Sequence, residues 1–102
     1  MLERNRINKK LMLSGVTILD RKTTYIGSDV SIKPDTIIYP GAVIKGKTVI
    51  GSGCIIGPGC TIDSCTIGKN CEIINSLLKD SVINDGAVIG PFASVISEGN
   101  LL

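Results

Sequence analysis

Aliphatic residues return along this chain at a nearly fixed interval. They occupy Ile26, Ile32, Ile38, Ile44, Ile50, Ile56 and Ile62, then Ile67, Ile73, Leu78, Ile83, Ile89, Val95 and Leu101. Ten of the thirteen steps are six residues and three are five. Two residues ahead of each aliphatic stands a small side chain. This second series reads Thr24, Val30, Thr36, Ala42, Thr48, Cys54, Cys60, Cys65, Cys71, Ser76, Ser81, Ala87, Ala93 and Gly99, and only Val30 is larger than Thr or Cys. Glycine often follows the aliphatic, as at Gly27, Gly51, Gly57, Gly68 and Gly90.

A period of six fits neither the 3.6-residue helix nor a simple alternating strand. It fits one side of a triangular coil, in which each hexad is a short strand and a corner. Three hexads make a turn of about eighteen residues, and successive turns pair at roughly 4.8 Å. The aliphatic fills the interior, and the small residue also points inward, near the corner. The expected fold is therefore all-β, a parallel β-helix of about four to five coils. Its coils are 26–43, 44–61, 62–77 and 78–94, with a part-coil from Val95 to Leu102. The five-residue steps predict corners cut by one residue in the third and fourth coils.

The N-terminal stretch reads differently. Leu2, Ile7 and Leu11 line one face of a predicted short helix over residues 2–13, with Gly15 as its stop. Val16 to Leu19 reads as a lead-in strand and Asp20 to Thr24 as a turn. The expected organisation is a helical linker over 1–15, a lead-in strand and turn over 16–25, and the β-helix over 26–102.

Composition adds limits. A chain of 102 residues has room for one small domain, and only three of its residues are aromatic, so the core is built from Ile, Val and Leu. Eleven Lys and Arg stand against nine Asp and Glu, which leaves no electrostatic footprint for nucleic acid or an acidic membrane. Five of the basic residues fall between Arg4 and Arg21, as expected for the solvated face of a helix. No apolar run is long enough for a membrane span, so a cytoplasmic protein is expected. Histidine is absent, which removes any mechanism using a His of this chain as general base and any His metal site.

Two clusters invite chemistry. Cys54, Cys60, Cys65 and Cys71 are spaced six, five and six apart, with no C-x-x-C pair for zinc. The repeat puts all four at the small inward position, on three different sides, with Cys71 returning to the side of Cys54. Only that pair should stack, at a separation compatible with a disulfide. Free thiols serving as small apolar groups are expected, and no metal. Gly51-Ser52-Gly53 and Gly57-Pro58-Gly59 lack the Lys-Ser/Thr pair and following helix of a phosphate loop, so they read as corners.

Some aliphatics should point outward: Ile37, Ile55 and Val88 on one side, Val43 with Leu77 on another, and Val49 with Val82 on the third. Regularly spaced exposed aliphatics suggest a subunit interface. Leu101 and Leu102 leave the last coil with unpaired strand edges, which recruit partners. Trimeric or end-to-end association is expected.

The entry segment is more specific than the hexads. Arg6-Ile7-Asn8, the run Leu11-Met12-Leu13-Ser14-Gly15-Val16-Thr17-Ile18, Thr24-Tyr25-Ile26-Gly27 and Thr36-Ile37-Ile38-Tyr39-Pro40-Gly41 closely resemble one family. It is the bifunctional N-acetylglucosamine-1-phosphate uridyltransferase / glucosamine-1-phosphate acetyltransferase. The match falls on the connecting helix and first coils of its acetyltransferase domain, and Ile56-Gly57-Pro58, Ser64-Cys65-Thr66-Ile67-Gly68 and Gly90-Pro91-Phe92-Ala93 continue it in order. The resemblance implies a left-handed β-helix, a homotrimer and a place in UDP-N-acetylglucosamine synthesis for the cell envelope.

The resemblance also implies what this chain lacks. The family's nucleotide-binding signature precedes the helix, and its catalytic His and most acetyl-CoA contacts lie in later coils. After Gly-Pro-Phe-Ala the family runs x-Leu-Arg-Pro-Gly, with the Arg on the sugar phosphate. Here the run is Ser94-Val95-Ile96-Ser97-Glu98, so Ile96 stands where that Arg would be. An aliphatic cannot replace a forked cation on phosphate. No catalytic, cofactor-binding or metal-ligating residue is therefore assigned. The expectation is a trimerising scaffold that is non-catalytic alone, and the alternative is an acyltransferase completed by a partner chain or a further extension.

Overall fold

The computed structural model describes residues 15–97. The helix expected over residues 2–13, and Leu101 and Leu102, lie outside them. Fourteen strands of two or three residues follow one another from β1 (Thr17–Ile18) to β14 (Ser94–Ile96), with no helix among the described residues. Face A stacks β1, β4 (Ile37–Ile38), β7 (Ile55–Ile56), β10 (Glu72–Ile73) and β13 (Val88–Ile89). Face B stacks β2 (Tyr25–Ile26), β5 (Val43–Lys45), β8 (Thr61–Asp63), β11 (Leu77–Lys79) and β14. Face C stacks β3 (Ser31–Ile32), β6 (Val49–Ile50), β9 (Thr66–Ile67) and β12 (Val82–Ile83). All neighbours pair in parallel, giving the expected β-helix of about five turns.

The register is that of the sequence repeat. Ile38, Ile56, Ile73 and Ile89 are partners in one column, and Ile26, Ile44, Ile62, Leu78 and Val95 in another. Except near the last coil, where Ile89 and Val95 are only partly covered, these aliphatics are buried and form the core. The small positions are buried beside them: Thr24, Thr36, Thr48, Ala42 and the four cysteines have almost no exposed surface. The lead-in strand β1 is itself stacked on β4, Thr17 against Ile37, so it forms the first side of the solenoid.

Coil length falls along the chain, and the corners show why. Ile37 pairs with Ile55 eighteen residues on, Ile55 with Glu72 seventeen on, and Glu72 with Val88 sixteen on. In most six-residue corners a left-handed residue stands three positions before the next aliphatic, as Asp35, Asn70 and Gly86 do. The three five-residue steps keep that residue, as Ser64, Asn75 and Asp80, and omit one before it. Short polar side chains tolerate this backbone region because they bond locally. The expected cut corners are thus shortened ahead of the bend.

Two glycines separate a steric requirement from a conformational one. A side chain at Gly51 would meet the backbone of Gly68 at 2.7 Å, although its own φ is ordinary. Gly86 has open space around it but sits at φ +73°. Gly51→Ala should lower stability by about 3 kcal/mol through overpacking, and Gly86→Ala by about 1 kcal/mol through backbone strain alone. Urea midpoints of the two variants check the ordering, and equal losses would contradict it.

Candidate functional site: sealed thiols and an uncharged edge

The cysteines are placed as the repeat predicts. Pairing of Ile55 with Glu72 sets Cys54 directly beneath Cys71 on face A. Cys60 stacks between Ala42 and Ser76 on face B, and Cys65 between Thr48 and Ser81 on face C. All four are free and buried. No group of three or more His, Cys, Asp or Glu able to hold a metal occurs among the described residues.

These thiols have a structural task that the sequence did not reveal. Carbonyls lining the coil interior accept from these side chains, and a buried carbonyl needs a donor; the Ile73 oxygen also accepts from the Gly57 amide of the neighbouring coil. The Cys54 Sγ donates to the Gly68 oxygen at 3.0 Å, Cys60 to Ile73 at 3.2 Å and Cys71 to Asn84 at 3.1 Å. Thr36 does the same one coil earlier, donating to the Gly51 oxygen at 2.9 Å while accepting from the Cys54 amide at 3.2 Å. Thr, Ser and Cys are therefore interchangeable as small donors in these columns. The interruption at Ala42 and Ala87 shows that the bond is not needed in every coil.

Burial pushes the Cys54, Cys60 and Cys65 thiols above their ordinary value of 9.0, against smaller lowering from backbone hydrogen bonds. A thiol whose folded value is raised keeps its proton while the unfolded chain loses its own. Its contribution is complete below about pH 9 and is lost as pH rises further.

The outward positions are less uniform than the sequence suggested. Ile37, Ile55 and Val88 share one column of face A, but Glu72 stands between Ile55 and Val88. Thr61 separates Val43 from Leu77, and Thr66 separates Val49 from Val82. Ile96, exposed at 46 %, pairs with Lys79 at the top of an outer column that runs Lys45, Asp63, Lys79, Ile96. The two glycine runs are corners, as expected: Gly51-Ser52-Gly53 turns from face C to face A, and Gly57-Pro58-Gly59 from face A to face B.

A second feature escaped the sequence reading. Every charged residue from Tyr25 to Ser97 lies at one of two edges. Asp29, Lys45, Lys47, Asp63, Lys79 and Asp80 flank the edge between faces B and C. Lys33, Asp35, Lys69, Glu72 and Asp85 flank the edge between C and A. The edge between A and B has none above the Asp20–Thr24 turn. It carries instead Tyr39, Pro40, Pro58, Pro91 and Phe92 at its corners, with Tyr25 and Leu77 beside them. All three aromatic residues of the chain are on this edge and exposed, Phe92 at 82 %. The signal was present as prolines at corresponding corners, but it appears only when the chain is wound into coils.

Two outcomes follow for the thiols. Native protein at pH 8 should react with a disulfide-exchange reagent at none of its four cysteines, and denatured unreduced protein at all four; fewer in the denatured state would reveal a Cys54–Cys71 bond. The urea midpoint should fall between pH 8 and pH 10.5, and fall less in a variant with Cys54, Cys60 and Cys65 replaced by Ala. Parallel pH profiles for the two proteins would rule out the thiols as the cause.

Comparison with known proteins agrees with the motifs. The chain is 48% identical over 92 residues to the bifunctional protein GlmU of Shouchella clausii, covering 90% of this chain and 20% of that protein. It is 52% identical over 98 residues to the bifunctional protein GlmU of Clostridium perfringens, covering 96% and 22%. A third GlmU, from Pelobacter propionicus, is 48% identical over 91 residues, covering 88% and 20%. The chain thus spans about a fifth of the length of the curated relatives it matches. The family model described as the GMPPB C-terminal domain matches residues 25–100, which is the whole hexad series but its last aliphatic. The chain belongs to that family of β-helical C-terminal domains, and the resemblance to the bifunctional uridyltransferase/acetyltransferase is borne out.

Proposed function

We propose that this chain is a trimerising β-helical scaffold related to the acetyltransferase domain of the bifunctional enzyme, cytoplasmic and non-catalytic on its own. One observation carries this reading. The four thiols, the one cluster of strong nucleophiles among the described residues, are sealed in the core and engaged with backbone carbonyls. Outside, the sequence supplies no histidine for proton transfer, and an aliphatic Ile96 occupies the position of the family's phosphate-binding Arg. Lys79 is the nearest cation in that column, one coil below and paired with Ile96.

The alternative is a sugar-nucleotide acyltransferase whose reacting groups come from a partner chain or from further coils. Identity near one half to GlmU proteins favours it. An acetyl-transfer assay with glucosamine-1-phosphate and acetyl-CoA separates the two. The chain alone should give no turnover above the uncatalysed rate. Turnover that scales with chain concentration and survives Cys-to-Ala replacement would establish the alternative.

A further inference from the structure

We propose that Cys54 and Cys71 are a latent cross-link, a thiol pair that a small disulfide oxidant joins into a covalent ring around one turn of the solenoid. The inference goes beyond the scaffold reading and does not depend on it.

The coil register selects the pair. Ile55 pairs with Glu72, so Cys54 and Cys71 are in-register neighbours in adjacent coils. Such neighbours lie about 4.8 Å apart, within the Cα span of roughly 4.4–6.8 Å that a disulfide bridges. Both side chains turn into the same interior column and have almost no exposed surface. Burial is the chief reason that the Cys54 thiol holds its proton, and the Cys71 sulfur adds to it as a neighbouring charge and as a hydrogen-bond partner, so the two sulfurs face each other. No other two thiols share a column: Cys60 stacks between Ala42 and Ser76, and Cys65 between Thr48 and Ser81. Yet Cys54 and Cys71 are the outermost pair, seventeen residues apart, while consecutive cysteines are five or six apart. A disordered chain closes its short loops more readily, so a bond between the outermost pair reports wound coils.

Access comes from the upper end. Among the described residues, Ala87 alone stands above Cys71 in that column. The coil that carries Ala87 is the least buried, with Ile89 and Val95 only partly covered. Such sparsely buried segments open locally at low cost. Opening of that one coil uncovers Cys71 and leaves Cys54 beneath it. The Cys71 thiol then loses its proton to solvent, and its sulfur attacks one sulfur of the oxidant, releasing the first small thiolate. The Cys54 sulfur, deprotonated in turn, attacks the Cys71 Sγ and releases the second. Two protein thiols and one small disulfide become one protein disulfide and two small thiols, and two electrons pass to the oxidant. Linking withdraws the sulfur donors from the Gly68 and Asn84 oxygens. Closing a loop of seventeen residues outweighs two neutral hydrogen bonds. The joined turn therefore stays wound when the coil above it opens.

The experiment incubates the reduced chain for days with oxidised glutathione at pH 8, in urea below the unfolding transition. Free thiols are then blocked, the protein is denatured and digested, and linked peptides are assigned by fragmentation in a mass spectrometer. Two thiols should be lost, and the bond should join Cys54 to Cys71. The same oxidant acting on fully unfolded chain should favour consecutive cysteines instead. Cys60→Ala combined with Cys65→Ala should link as the parent does. Cys54→Ser should stop at a glutathione adduct on Cys71; should either variant misfold, the assignment in the parent chain still decides the pairing. The linked chain should unfold at a higher urea midpoint, and dithiothreitol should restore the parent value. A bond between consecutive cysteines below the transition, adducts without a bond, or four thiols still free would overturn the pairing. A linked chain whose midpoint is unchanged or lower would overturn the stapling of the turn.

Discussion

Everything in this molecule depends on pairing between coils. Strands of two or three residues cannot persist alone, because too few hydrogen bonds offset the ordering of their backbone. Here each is held by a parallel partner, and those of the middle coils by one above and one below, as Ile55 amide bonds Cys71 oxygen at 2.8 Å and Ile37 amide bonds Cys54 oxygen at 2.9 Å. That ladder fixes the spacing of coils and, through it, the interior width. The interior admits one aliphatic and one small side chain per side. The hexad is the sequence image of that cross-section.

The interior was legible in the sequence for this reason. An inward position faces the same few atoms in every coil, so Ile recurs at 38, 56 and 73 and a small donor at 36, 54 and 71. Shortened corners were legible as well, since dropping one residue shifts the repeat without changing what the next strand must bury. The outside obeys no such rule. Ile55, Glu72 and Val88 succeed one another in one column because solvent tolerates all three. Reading them as an aliphatic row overlooked Glu72. The uncharged edge was hidden for a different reason. Its members lie at 25, 39–40, 58, 77 and 91–92, a series with no linear period once coils shorten from eighteen residues to sixteen.

The same division bears on function. In this chain the corner charges are dispersed along two edges and mixed in sign, and the reactive sulfurs face inward as hydrogen-bond donors. Thr36 and Cys54 illustrate how little distinguishes a hydroxyl from a thiol in that setting, since both close a corner carbonyl of the coil above. The cysteines are best understood as part of the packing, which is why their number and near-regular spacing mimic a metal motif without forming one.

The narrow range of register offsets has a consequence for how such a chain grows. Each strand pairs with one that lies between sixteen and twenty residues away, from Thr17 with Ile37 to Glu72 with Val88. Adding a coil lengthens the protein without creating any more distant contact. Relative contact order therefore falls as coils accumulate, and the search for each new pairing remains a short loop closure onto an edge already in place. Evolution can extend such a prism by duplication at constant kinetic difficulty, a freedom that a closed barrel of the same strands would not have.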